Sequence, residues 1–460
     1  MKKLILTKLF CLLMVVSFAE GYQVNLLSAR QSGMGHTGVA LKLGAESMHF
    51  NPAGLVYMKR GFSFSTGMSA VFSNISYEDM AKKSWDTDNS IGTPAYFYAA
   101  YKPMDNLAFG LSFTTPYGNS LNWGKDWAGA HMVQDISLKA YVFQPTVSYR
   151  ITDKLSIGAG AMIMTGSVDL NKGLIARGEM SKLSAGVTAK TGGAIPNPFV
   201  GKYADAVPAS VNLKGDAEID FGFNIGLLYD LNEMFTFGLS YRSKMTADVK
   251  KGDAQISYRD AVIEGYFTQV NAGLKAMGQP SLLPDLNKGN FAASLPMPAN
   301  TTFGIAMKAS QKLTITADVQ YVEWGVYKES KFDFSPSPSL DRADVTIAKN
   351  YKNTFIYRLG GEYVQNEMFT FRAGAYFDES PVSKTEYNPE TPGMDKLGLS
   401  VGSTITLMKG LNVDIAMTYI KGFKVDSTVK DPNPFTPAAD FAGSYKSTAF
   451  IPSLGLSYSF

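Results

Sequence analysis

Phe235-Thr236-Phe237-Gly238-Leu239-Ser240-Tyr241-Arg242 sets large apolar residues at odd positions and Thr, Gly, Ser and Arg at even ones. Successive side chains of an extended backbone point to opposite faces, so this stretch is a strand with one oily and one polar face. The pattern returns at Leu313, Ile315, Ala317, Val319 and Tyr321, and at Phe369, Phe371, Ala373, Ala375 and Phe377. It returns again at Leu411, Val413, Ile415, Met417 and Tyr419. Alternation this long exceeds a typical soluble strand and fits a tilted strand crossing a bilayer.

Short polar turns precede these runs: Pro103-Met104-Asp105-Asn106, Thr152-Asp153-Lys154, Asp230-Leu231-Asn232-Glu233, Ser310-Gln311-Lys312, Gln365-Asn366-Glu367 and Lys409-Gly410. Each joins two alternating segments as a hairpin turn does. Longer polar stretches lie between the hairpins, at 74–91, 118–134, 171–214, 250–297, 329–350, 380–394 and 422–444. Six turns and seven loops predict fourteen strands. Tight turns at one end and long loops at the other match outer-membrane barrels, so the expected fold class is all-β, a 14-stranded antiparallel transmembrane β-barrel. A soluble sandwich or propeller is the competing all-β reading, but such strands are shorter and no propeller repeat is present.

The first residues read as a secretory signal. Lys2, Lys3 and Lys8 precede or flank the apolar run Leu9–Val16, and Ser17-Phe18-Ala19 offers small residues for cleavage. The expected signal peptide is 1–19. Its loss removes Cys11, the only cysteine, and brings the formal charge from +3 to about zero. Nothing in that balance points to nucleic acid. A secreted chain without disulfides needs another source of stability, such as a large core or a membrane. No later stretch is long and apolar enough for a membrane helix, and the mean hydropathy of −0.05 suits strands that alternate oil-facing and polar residues.

Residues 20–58 lack long alternation. Gly33-Met34-Gly35, Gly38 and Asn51-Pro52-Ala53-Gly54-Leu55 punctuate them. Irregular backbone at membrane depth must be buried in protein or face water, which predicts a plug inside the barrel; a periplasmic tail is the alternative. The wall then occupies 59–460. Its last strand alternates through Pro452, Leu454, Leu456 and Tyr458 to Phe460. A terminal aromatic on such a strand resembles the signal read by barrel-assembly machinery.

Taken together, these residues resemble the FadL/TodX family of outer-membrane transporters of hydrophobic compounds. Ala29-Arg30-Gln31-Ser32-Gly33-Met34-Gly35 leading to Asn51-Pro52-Ala53 resembles the family's N-terminal hatch. Thr115-Pro116-Tyr117-Gly118, Asp126-Trp127-Ala128-Gly129, Gln144-Pro145-Thr146-Val147, Asp153 to Gly160 and Leu295-Pro296-Met297-Pro298 are similar to the family in the same order. The resemblance implies a barrel in the Gram-negative outer membrane, among lipid and lipopolysaccharide. It implies a hydrophobic ligand such as a long-chain fatty acid or aromatic hydrocarbon, no cofactor and no ATP. The ligand would leave sideways where strand three kinks inward. The hatch would gate that exit, with Asn51-Pro52 against the kink.

The residues supply candidates for such a route. Pro116, Tyr117 and Gly118 can break strand three, since Pro lacks a ladder donor and Gly bends freely; a plain strand end is the alternative. By parity Arg242, Asp318, Arg358, Glu362, Arg372 and Asp414 face the lumen. Arg242, Arg358 and Arg372 could bind a ligand carboxylate or pair with acids. Met162 and Met164 face the same way and could line an apolar pocket or simply pack. In the loops, Leu174, Ile175, Met180, Leu183 and Val187, and Val262, Tyr266, Phe267, Val270 and Leu274, stand near helical spacing. Two such helices could form an extracellular groove or only a lid.

Other functions have weaker support. His36, His49 and His131 stand in no Ser-His-Asp arrangement, which argues against a hydrolase. His36 or His49 as a haem ligand, in a haem or general receptor, and an open porin are the alternatives. A monomer is expected.

Overall fold

The computed structural model describes residues 22–279, 281–283, 289–334, 344–430 and 440–460; the expected signal peptide, 1–19, lies outside them. Fourteen wall strands follow in chain order. They are β1 (Gly61–Ser69 and Phe72–Asp79), β2 (Ser84–Asp86 and Ala95–Met104), β3 (Leu107–Asn122), β4 (Asp135–Arg150), β5 (Leu155–Gly173), β6 (Ala209–Asp230) and β7 (Phe235–Arg242 and Met245–Tyr258). Then come β8 (Gly289–Met297 and Asn300–Lys308), β9 (Leu313–Val322 and Glu329–Asp333), β10 (Val345–Ala348 and Thr354–Val364), β11 (Phe369–Asp378), β12 (Lys396–Met408), β13 (Leu411–Lys430) and β14 (Asp440–Ser459).

Each strand pairs antiparallel with its sequence neighbours. β14 returns to β1, with Ser63 opposite Ser459 and Ser69 opposite Ser453, so the ring is closed. Phe460 seals this seam. It exchanges backbone hydrogen bonds with Phe62 at 2.9 and 3.0 Å, and their rings stack at 5.6 Å. Closure removes the free sheet edge that hydrocarbon cannot hydrogen-bond.

Alternation sets the two faces. On β4, Tyr141, Phe143, Val147 and Tyr149 are exposed, while Ala140, Val142, Gln144, Thr146 and Ser148 are buried. The exposed row is the lipid-facing one. The six tight turns lie where the sequence places them. Several strands run further outward than expected. The extension Phe72–Asp79 runs into the expected loop at 74–91, which also holds Ser84–Asp86, and β13 reaches Lys430. Beyond the lipid band the outward row becomes polar, so the period-two signal fades while the ladder continues.

Residues 22–57 bond to or closely approach every wall strand. Glu46 Oε1 accepts from Ser65 Oγ on β1 at 2.7 Å, and Ala29 N donates to Tyr96 Oη on β2 at 3.0 Å. Met48 lies against Gly110 of β3, and its carbonyl accepts from Gln144 on β4 at 2.8 Å. Ala53 O accepts from Ser156 on β5 at 2.9 Å, and Asn51 Nδ2 donates to Leu227 O on β6 at 2.9 Å. Arg242 on β7 donates to His49 O at 2.9 Å, and Ala40 abuts Gly304 of β8. Asp318 on β9 accepts from Gly38 N at 2.7 Å, and Arg30 pairs with Glu362 on β10 at 2.9 Å. Gly35 abuts Gly374 of β11 and donates to Ser400 Oγ on β12 at 2.9 Å. Ser32 O accepts from Thr418 on β13 at 3.3 Å, and Ala29 abuts Gly455 of β14. A segment touching all strands of a closed ring lies inside it. Gly35 makes this possible at one point: its φ is +65°, and a side-chain carbon there would fall 2.8 Å from Leu359 O.

Candidate functional site

The ring has a break between β2 and β3. Tyr96 opposite Thr114 is the last β2–β3 pair on the outward side. Beyond it, β3 stays paired with β4 but shifts register: Thr114 faces Val142, whereas Tyr117 faces Ala140. Thr115-Pro116 is therefore a bulge, and Pro116 has no N–H to offer a neighbour. The interruption falls beside Pro116, Tyr117 and Gly118. It is not the strand end, because β3 continues to Asn122. Across the gap, residues 87–94 leave the ladder, and the two sides meet again only further out, where Asp88 N donates to Asn122 O at 2.8 Å and Ser90 Oγ meets Ser120 Oγ at 3.0 Å among the described residues.

The freed edge of β3 is met by residues 22–24. Val24 N donates to Pro116 O at 2.8 Å, Gly118 N donates to Tyr22 O at 2.8 Å, and Gln23 bridges Tyr117. Tyr22 is further held by Trp324 at 5.0 Å and Tyr327 at 6.1 Å between ring centroids. The expected contact between Asn51-Pro52 and the break is not made. Asn51 instead caps the turn at Pro52–Tyr57 through Ala53 N and binds Val39 O and Leu227 O. Pro52 and Ala53 lie over Gly158 of β5. They dock the segment on β4 to β6.

A cavity of about 390 Å³ occupies the break. It touches Leu138 and Ala140 on the inner face of β4, and Ser137, Lys139 and Tyr141 on its outer face. A space that reaches both faces of one strand pair must pass round an edge, and here the edge is that of β3 beyond Thr115. Its inner end is lined by Leu26, Tyr376, Ile420 and Ile451.

A smaller chamber of about 50 Å³ adjoins it and shares Gln23, Val24, Asn25, His36 and Tyr117 with it. Arg242, Arg358, His49, Gln320 and Asn300 line the chamber. Arg242 donates to Met162 Sδ at 2.8 Å, His49 O at 2.9 Å and His49 Nδ1 at 3.1 Å. An arginine only donates, so Nδ1 accepts and its ring is neutral. Burial, then the charges of Arg242 and Arg358, hold the His49 imidazole well below its ordinary pKa. Arg358 donates to Gln320 Oε1, and its Nε has no hydrogen-bond partner. Among the described residues, no carboxylate lies within ion-pair distance of Arg242 or Arg358, though both are more than nine-tenths buried.

Arg372 behaves differently. It pairs with Glu362 at 2.7 Å and Asp414 at 3.6 Å and donates to Thr404 at 2.6 Å, so it serves the wall. Met162 supports Arg242, and Met164 lies in the buried apolar cluster; neither lines the two cavities.

The loop helices form at Glu179–Lys190 and Ala261–Ala276. Leu174 and Ile175 precede the first and are buried. Tyr266 and Phe267 meet Phe199 edge-on at 5.5 and 6.5 Å, Leu274 packs on the same cluster, and Val262 points outward. The apolar stripe is thus spent on a lid rather than on an open groove, because Phe199 fills it. The loop at 379–395 adds a second cover. Lys349 and Glu390, both buried, pair at 3.2 Å, and Trp123 Nε1 donates to Pro389 O at 3.1 Å.

Comparison with known proteins agrees with this architecture. The chain is similar to an outer membrane protein of Neisseria meningitidis serogroup B, 26% identical over 86% of this chain and 85% of that one. It is similar to the long-chain fatty acid transport protein of Escherichia coli K12, 24% identical over 87% of each. The solved structure of a Pseudomonas aeruginosa FadL homologue superposes with a TM-score of 0.78 at 19% identity, covering 96% of this chain and all of that one. The model of the outer membrane protein transport family (OMPP1/FadL/TodX) matches residues 11–460, so this chain, an outer-membrane β-barrel, belongs to that family.

Proposed function

We propose that the protein carries hydrophobic small molecules, long-chain fatty acids or aromatic hydrocarbons, passively across the outer membrane and releases them sideways through the β2–β3 break. The observation behind this reading is the cavity that touches both faces of β4. An apolar solute gains about 0.8 kcal/mol for each methylene kept from water, so a path from lumen to lipid that avoids water favours its passage. Residues 20–58 act as the hatch, and 59–460 as the wall around it. Arg242 holds the polar end of a bound permeant, since a buried cation without an acid favours an anion, and Arg358, opposite Asp318 in the β9–β10 ladder, lines the same chamber. The route makes and breaks no covalent bond and requires no enzyme chemistry. The chain works as a monomer, delivered by the barrel-assembly machinery after loss of 1–19.

The test is a shortened β3. Deleting Thr115 with Pro116→Val removes the bulge and restores an N–H to the ladder. Uptake of radiolabelled oleate by cells lacking their own transporter should fall to background, while the barrel still shows its heat-dependent gel shift. Unchanged uptake by that folded variant would overturn the lateral route.

A further inference from the structure

We propose that Lys139, at the lipid-side mouth of the wall opening, receives the anionic head group of the departing permeant, so that this protein's preferred cargo is a carboxylate-bearing amphiphile. The inference rests on the lateral route proposed above and narrows its substrate class.

Depth is the first observation. On the outer face of β4 the apolar row runs from Tyr149, beside the short turn at 151–154, to Tyr141. Tyr141 stacks on Phe113 of β3 at 6.0 Å. Aromatic residues ring the two interfaces of a membrane barrel, and short turns face the periplasm. Tyr141 therefore marks the outer interface. Lys139 stands two residues further out on the same face, at head-group level, opposite Gly118 of β3 and Ser167 of β5.

Polarity is the second observation. The lumen-side lining of the cavity is apolar at Leu26, Ile420 and Ile451, beside the polar Gln23, Asn25 and His36, and holds no charged side chain, whereas the outer rim carries Ser120, Ser137 and the cation Lys139. Lys139 is exposed, and none of the ion pairs among the described residues includes it. The acid diagonal to it on the outer face, Asp169, is engaged by Lys214 at 3.1 Å and Asn212 at 2.7 Å. An acyl chain lying inward with its carboxylate at the rim matches this gradient. A neutral hydrocarbon leaves the cation without a counterpart.

The experiment compares oleate with oleyl alcohol, which share a chain and differ in head-group charge. Uptake is measured into proteoliposomes with and without lipopolysaccharide, for wild type, Lys139→Gln and Lys139→Arg, each confirmed as a barrel by its heat-dependent gel shift. Lys139→Gln should slow oleate about fivefold, the effect of one interfacial cation, leave the alcohol unchanged, and be rescued by Lys139→Arg. Equal slowing of both probes would overturn the charge role. An effect confined to vesicles with lipopolysaccharide would assign Lys139 to lipid phosphate instead and also overturn it. Wild type that carries the alcohol but not oleate would refute this proposal alone, whereas wild type that carries neither would refute the transport reading beneath it.

Discussion

The carbonyl oxygen of Tyr22 accepts the backbone N–H of Gly118 at 2.8 Å, and two residues later Val24 N returns a bond to Pro116 O at 2.8 Å. Three residues of the internal segment thus stand in for a wall strand at the one place where β3 lacks its neighbour. So short a pairing opens easily, since few bonds and little burial oppose its release.

Val24→Pro removes one of these donors. A backbone hydrogen bond contributes about 1 kcal/mol, so the open break should be about five times more populated. Oleate uptake should rise, and ion leak in planar bilayers should increase. Unaltered uptake and leak would show that residues 22–24 do not seal the wall.

Glu362 joins the segment to the wall, because it pairs with Arg30 at 2.9 Å and with Arg372 at 2.7 Å. Glu362→Gln leaves two guanidinium groups facing each other. Breaking a buried pair costs about 3 kcal/mol, and partial exposure of Arg30 lowers that to about 2 kcal/mol. Protease should reach the segment at lower urea than in wild type, with the gel shift of the barrel retained.

His49 gives a pH dependence. Burial, then Arg242 and Arg358, depress its pKa in the docked segment below the ordinary 6.5. The released segment then binds the proton first, so docking is strongest above 6.5 and weakens as pH falls below it. Burial, then Asp414, raises the pKa of Glu46, which acts in the opposite direction as pH climbs above 4.5. The difference between wild type and His49→Gln isolates the histidine. Leak through wild type should increase between about pH 6.5 and 5 relative to His49→Gln. Parallel leak curves would refute it.

Phe460→Ala keeps the two closing backbone bonds but removes the ring that meets Phe62 at 5.6 Å and Tyr458 at 5.2 Å. Aromatic pairs contribute about 1 kcal/mol each, so the folded fraction at the urea midpoint of wild type should drop severalfold. A midpoint unchanged by the substitution would leave closure to the backbone alone.

The wall was legible because lipid imposes one parity over many residues, and Asp105-Asn106 or Lys409-Gly410 mark where each hairpin reverses. The outward extensions were not, since Lys250 and Lys421 on the exposed row end the apolar rhythm without ending the strand. Arg372 and Arg242 have the same type and parity, yet only one is neutralised. That difference could have been read from register: the turn at Gln365-Asn366-Glu367 sets Glu362 opposite Arg372. The partner of Tyr22 could not, because its pairing spans 96 positions and follows from no local pattern. Asn51 was misplaced for the same reason: its bond to Leu227 joins residues 176 positions apart.

The inner segment has one consequence for biogenesis. It is synthesised and exported first, yet its contacts include Thr418 on β13 and Gly455 on β14, near the other terminus. Its complete set of partners exists only after the last hairpin has joined the first. The earliest residues to arrive are therefore among the last to settle, because their docking is completed only when the ring closes.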